Sequence, residues 1–103
     1  MIELTKDTFK SEVEEHDGLV VIDLYADWCG PCKMLAPIVK EIEGEMPEVK
    51  FAKINVDREP ELTKAFRVTS IPVIALVRDN TLIDMSVGYT TKEKLVEFIS
   101  EYK

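Results

Sequence analysis

Residues 19–25 read LVVIDLY, and no other stretch limits the fold as strongly. The run is nearly all apolar and β-branched, without polar alternation, as in a strand covered on both faces. The period then changes. Leu35, Ile38, Val39, Ile42 and Met46 recur at i, i+3, i+4, i+7 spacing, which predicts a long amphipathic helix. A strand buried on both sides and followed by such a helix demands a sheet with helical layers on both faces.

The remaining segments fit that demand. Phe9 and Val13 mark a short helix ended by Asp17-Gly18. Residues 49–56, VKFAKINV, read as a second strand, and Leu62, Ala65 and Phe66 as a short helix with Pro60 in its first turn. VIALV at 73–77 and LIDMSV at 82–87 form an antiparallel hairpin turning at 78–81. Thr90-Thr91-Lys92-Glu93 offers a capping box for a last helix that carries Leu95, Phe98, Ile99 and Tyr102. No repeat or linker divides the 103 residues, so residues 1–103 are expected to form one domain. A formal charge of -7 disfavours nucleic-acid and anionic-membrane partners. MIELTKDTFK has no basic region followed by an apolar one, so no signal peptide is read. No apolar run is long enough to span a bilayer, and a cytoplasmic address is expected.

Both cysteines lie in DWCGPCK, at positions 29 and 32. Structural zinc takes four protein ligands and catalytic zinc three, which this pair and the distant His16 do not supply. A c-type haem would need histidine where Lys33 stands, and an iron–sulfur cluster needs four ligands. A metal shared between two copies stays open on these residues alone. The redox reading has direct support. Cys29 falls between a strand and a helix, where free N–H groups and the helix dipole favour a thiolate. Pro31 is pre-set for a helix start, and Gly30 leaves the approach to the sulfur open. Cys32, three residues on, shares a face with Cys29 and can close a small disulfide. The ring is too small to constrain much of the unfolded chain, so a switch is favoured over a staple. Cys29 takes the exposed helix-end position, and Cys32 the shielded one.

Asp23 interrupts LVVIDLY, and a carboxylate in a buried strand costs free energy unless bonded or paired. Two readings stand: an edge aspartate bonded to backbone, or a buried carboxyl of raised pKa that exchanges a proton with Cys32. Trp28, flanked by Asp27 and Cys29, reads as a partly exposed wall of a substrate surface. Lys33 reads as solvated, and Pro37 as a kink within the long helix.

The blocks VVIDLYADWCGPCKMLAP, FAKINVD, SIPV and VGYTT, with the final helix, resemble the thioredoxin family, whose signature is WCGPC. Protein disulfide isomerase carries Gly-His between its cysteines, and typical glutaredoxins Pro-Tyr. The resemblance implies an α/β thioredoxin fold, a central mixed sheet of about five strands flanked by about four helices. It implies a protein-disulfide reductase whose only redox centre is the Cys29-Cys32 disulfide, with no metal or organic cofactor. Asp23 then serves Cys32 as proton acceptor, with Lys53 the family's lysine beside it. Pro72 matches a proline that is cis and packs against the disulfide. Ile71 and Gly88 line the same substrate surface as Trp28, Gly30 and Pro31. The implied partners are thioredoxin reductase and target disulfides such as those of ribonucleotide reductase, peroxiredoxin and methionine sulfoxide reductase. A monomer is expected, free of nucleic acid and membrane.

The sequence departs from the family at several points. Tyr25 replaces a common Trp, and Ser70 and Val73 stand where Gly and Thr are frequent. Asn80 takes a hairpin position usually held by Gly, which its tolerance of left-handed backbone allows. Tyr89 replaces a small residue beside the substrate groove and is expected to influence target choice.

Overall fold

The apolar run becomes the middle strand of the sheet. In the computed structural model, which describes residues 1–103, the strands are β1 (Ile2–Glu3), β2 (Val20–Tyr25), β3 (Lys50–Asn55), β4 (Val73–Arg78) and β5 (Thr81–Val87). Their order is β1-β3-β2-β4-β5. β2 runs parallel to β3 and antiparallel to β4, so it is hydrogen-bonded on both edges. The helical segments are a π-helical turn at Lys10–Glu14, α1 (Gly30–Glu45), α2 (Pro60–Ala65) and α3 (Lys92–Ser100).

The two-residue period of β2 sorts its side chains between two cores. Val21 packs with Leu35, Val39 and Ile42 of α1 and Leu95 and Ile99 of α3. Val20, Ile22 and Leu24 pack with Val13 of the π-helical turn and with Phe66 and Leu62 at α2. Each large aliphatic side chain fully buried in these layers contributes about 1.5–3 kcal/mol. A slip of one residue would exchange the faces of β2 and is thereby excluded. The same parity puts Asp23 and Tyr25 on the α1 face. α1 continues through Pro37 to Glu45, although the proline removes one intrahelical donor.

The structure adds to and corrects the sequence reading. β1 was not foreseen: its two residues are too few for any period and are held by parallel pairing with Ala52 and Lys53 of β3. The first helix is a single π-helical turn. Thr91, not Thr90, caps α3, its side chain accepting from the Lys94 N–H at 3.3 Å. The hairpin turns on Asp79 (φ 51°) and Asn80 (φ 59°), a pair of left-handed residues that matches strand twist. No helix is long and apolar enough to cross a membrane.

Candidate active site at the start of the long helix

The site forms where β2 ends and α1 begins. Cys29 is the N-cap of α1, in extended conformation, and Gly30 and Pro31 open the first turn. One turn of helix brings the two cysteines together, with Cα atoms 5.2 Å apart and the sulfurs joined in a disulfide. The Cys32 N–H donates to Cys29 Sγ at 3.2 Å. In the dithiol that donor favours the anionic sulfur, since charge strengthens a hydrogen bond.

The expected difference in exposure between the cysteines is not found: each keeps 4% of its surface. They differ in what they face. Cys29 opens on a groove of about 480 Å³ walled by Trp28, Gly30, Pro31, Val56 and Ile71. Cys32 opens on a separate cavity of about 530 Å³ lined by Asp23, Tyr25, Lys33, Lys40 and Lys53. The two share no lining residue.

On the groove side, the Ile71–Pro72 peptide is cis, as the family resemblance implied, and the Ile71 carbonyl oxygen lies 4.0 Å from Cys29 Sγ. The Gly88 N–H donates to the Pro72 carbonyl at 2.7 Å. Gly88 needs its glycine for backbone reasons, since it sits at φ +89°, and a Cβ there would meet nothing within 4 Å. Pro72, Gly88 and Tyr89 do not line the groove. Tyr89 is 47% exposed, and Trp28, at 70%, is more exposed than a core tryptophan, as its polar neighbours suggested.

On the other side, Asp23 keeps only 6% of its surface, and its Oδ1 has no hydrogen-bond partner. β2 is a central strand, so the reading of Asp23 as an edge aspartate is set aside. Burial pushes the carboxyl up to about 6, and the positive charge of Lys53 opposes that rise. Lys53 is the register partner of Asp23 on β3, and its Nζ stands 5.6 Å from the centroid of the Tyr25 ring. A carboxyl raised to about 6 that lines one cavity with Cys32 has the chemistry to take up and return a proton there. His16 borders neither opening, and no group of three or more His, Cys, Asp or Glu is placed to hold a metal ion.

Two features escaped the sequence reading. Trp28 Nε1 donates to Asp57 Oδ2 at 2.8 Å, fixing the indole at the groove wall. Buried Asn55 shapes that loop, its Oδ1 accepting from the N–H groups of Asp57 and Arg58. The signal was present: an Asn ending a strand, two residues before an Asp, makes an Asx turn. The second feature is a polar chain in which the Tyr25 hydroxyl donates to Glu3, and Arg58 bridges Glu3 and Asp27. It depends on where β1 lies, and no local pattern announces it.

Comparison with known proteins agrees with this geometry. A family model described as Thioredoxin matches residues 1–101. The thioredoxin of Listeria monocytogenes is 43% identical over 101 residues, covering 97% of this chain and 96% of the relative. That of Bacillus subtilis is 37% identical over 103 residues, covering 99% and 97%. The crystal structure of Fasciola hepatica thioredoxin superposes with a TM-score of 0.92 at 36% identity, each chain covered completely.

Proposed function

The chain belongs to the thioredoxin family of thiol–disulfide oxidoreductases, and from that premise we propose how its residues divide the work. Cys29 is the nucleophile. Its thiolate attacks one sulfur of a target disulfide, forms a mixed disulfide and releases the other target sulfur as a thiolate. Cys32 then loses its proton to Asp23 and attacks Cys29 Sγ. The second target thiolate leaves, and the Cys29–Cys32 disulfide closes. The target gains two electrons and two protons, and this chain gives them up. A thioredoxin reductase returns the oxidised chain to its dithiol.

The observation that carries this division is that the cysteines front different openings, Cys29 the groove walled by Trp28, Pro31 and Ile71, and Cys32 the cavity lined by the Asp23 carboxyl. Trp28, Gly30, Pro31 and Ile71 form the docking wall. Ile71 supplies backbone for an extended target segment, and Pro72, Gly88 and Tyr89 complete the rim. Lys53 moderates the Asp23 carboxyl. The targets are disulfides of proteins such as ribonucleotide reductase, peroxiredoxin and methionine sulfoxide reductase. The chain works as a single, monomeric domain in the cytoplasm, without metal or organic cofactor.

The test is trapping. Cys32→Ser retains attack but not resolution, so mixed disulfides accumulate on non-reducing gels and dissolve with dithiothreitol, while Cys29→Ser traps nothing. Trapping by Cys29→Ser instead reverses the roles. Trapping by neither, with no acceleration of insulin reduction by the wild type, points to a binding module.

A further inference from the structure

Asp23 and Lys53 are register partners of opposite charge on adjacent parallel strands, facing one cavity. A lysine stem can bring its ammonium to a carboxylate at that spacing, and such cross-strand pairs attract. Yet Asp23 Oδ1 accepts no hydrogen bond, and the Lys53 ammonium stands instead over the face of Tyr25. We propose that Tyr25 is a positioning residue whose ring holds the Lys53 ammonium off the Asp23 carboxylate, keeping that carboxylate free to exchange a proton with Cys32. This inference rests on Asp23 being the proton partner of Cys32.

The geometry suits the task. Tyr25 lies two residues beyond Asp23 on β2, hence on the same face, and lines the same cavity. Its hydroxyl is tethered to Glu3 of β1, which Arg58 holds in turn at 3.7 Å, so the ring is fixed at both ends. The ammonium lies within the roughly 6 Å at which a ring face attracts a cation.

The balance that the ring tips is narrow. Contact with a buried carboxylate would strip the ammonium of water, and that loss offsets much of the Coulomb gain. A half-exposed ring face then changes the ratio of open to bridged lysine by roughly two- to fivefold. The other charges at the cavity do not substitute for Lys53. Lys33 and Lys40 approach from α1, the Met1 amine is paired with Glu43 at 3.0 Å, and Asp27 with Arg58 at 3.4 Å.

The test is the titration of the Asp23 carboxyl carbon by NMR, in the full-length oxidised protein. Tyr25→Leu frees Lys53 to close the bridge, so the Asp23 midpoint falls, by at most about 0.7 pH unit for a fivefold change in the ratio. Tyr25→Phe keeps the ring and the midpoint. Tyr25→Leu combined with Lys53→Met titrates like Lys53→Met alone. An unchanged or raised midpoint in Tyr25→Leu overturns the proposal, as does an equal fall in Tyr25→Phe. Should Tyr25→Leu not fold, the wild type decides: ring-current shifts on the Lys53 ε-methylene protons are expected, and their absence refutes the contact. These readouts need no turnover, so they stand apart from the trapping experiment that tests the assigned roles.

Discussion

Replacing Asp23 with asparagine removes the one ionisable group buried in the central strand, and its effect on stability can be worked from the structure. Burial raises the carboxyl from its ordinary 3.8 to about 6, with the opposing Lys53 charge already counted. The folded protein therefore binds this proton more tightly than the unfolded chain does. Below about pH 4 both states are protonated and the group costs nothing. Between pH 4 and 6 the unfolded chain ionises first, so wild-type stability falls as pH rises, and above about pH 6 the cost is complete. A difference of roughly two pH units, at 1.36 kcal/mol each, makes that cost about 3 kcal/mol. Asp23→Asn escapes it. In a domain of this size the variant should melt on the order of 10–20 °C higher at pH 8. The assay is guanidinium unfolding of both oxidised proteins at pH 4 and pH 8. The change in their difference between the two pH values isolates ionisation from any fixed effect of the amide. A stability difference that stays constant from pH 4 to pH 8 refutes a buried carboxyl of raised pKa. The same variant should resolve mixed disulfides more slowly at neutral pH, while initial attack by Cys29 changes little.

Three further outcomes follow from named contacts. Asp57→Ala removes the acceptor that holds the Trp28 indole, and a neutral donor loses about 0.5–1.5 kcal/mol; the melting temperature should fall by several degrees, and target binding measured by calorimetry should weaken. Thr91→Ala removes the α3 cap and should cost about 1 kcal/mol in urea unfolding while leaving insulin reduction intact. Tyr89→Ala removes an exposed ring that the proposed docking surface includes and should lower affinity selectively for targets with an aliphatic residue near their cysteine; a uniform change across a target panel, or none, counts against that role.

Hydrophobic period exposed β2, α1 and the hairpin directly, because burial on one or both faces dictates their composition. It also exposed Asp23, as the single charge in LVVIDLY. What it could not expose was anything fixed by pairing between distant segments. β1 is two residues long and owes its existence to β3. The Glu3–Tyr25 bond follows from β1 and was equally hidden. The burial of Cys29 arises because Ala26, Val56 and Ile71 close around the disulfide from separate loops. A helix-end position alone says nothing of those neighbours. The cis Ile71–Pro72 bond came from family resemblance, since nothing local in SIPV distinguishes it from a trans proline.

The two openings beside the disulfide have a consequence for timing. On the proposed roles, Cys32 sheds its proton at the moment when a target is already fastened to Cys29 and fills the groove. Were there a single mouth, the docked protein would stopper it and strand that proton inside. Because the second mouth borrows no residue from the first, a target seated in the groove alone would leave Asp23 a path to the bath from behind. Bulky and small targets should then be released with the same sensitivity to the acidity of the medium, however tightly each one seals the front.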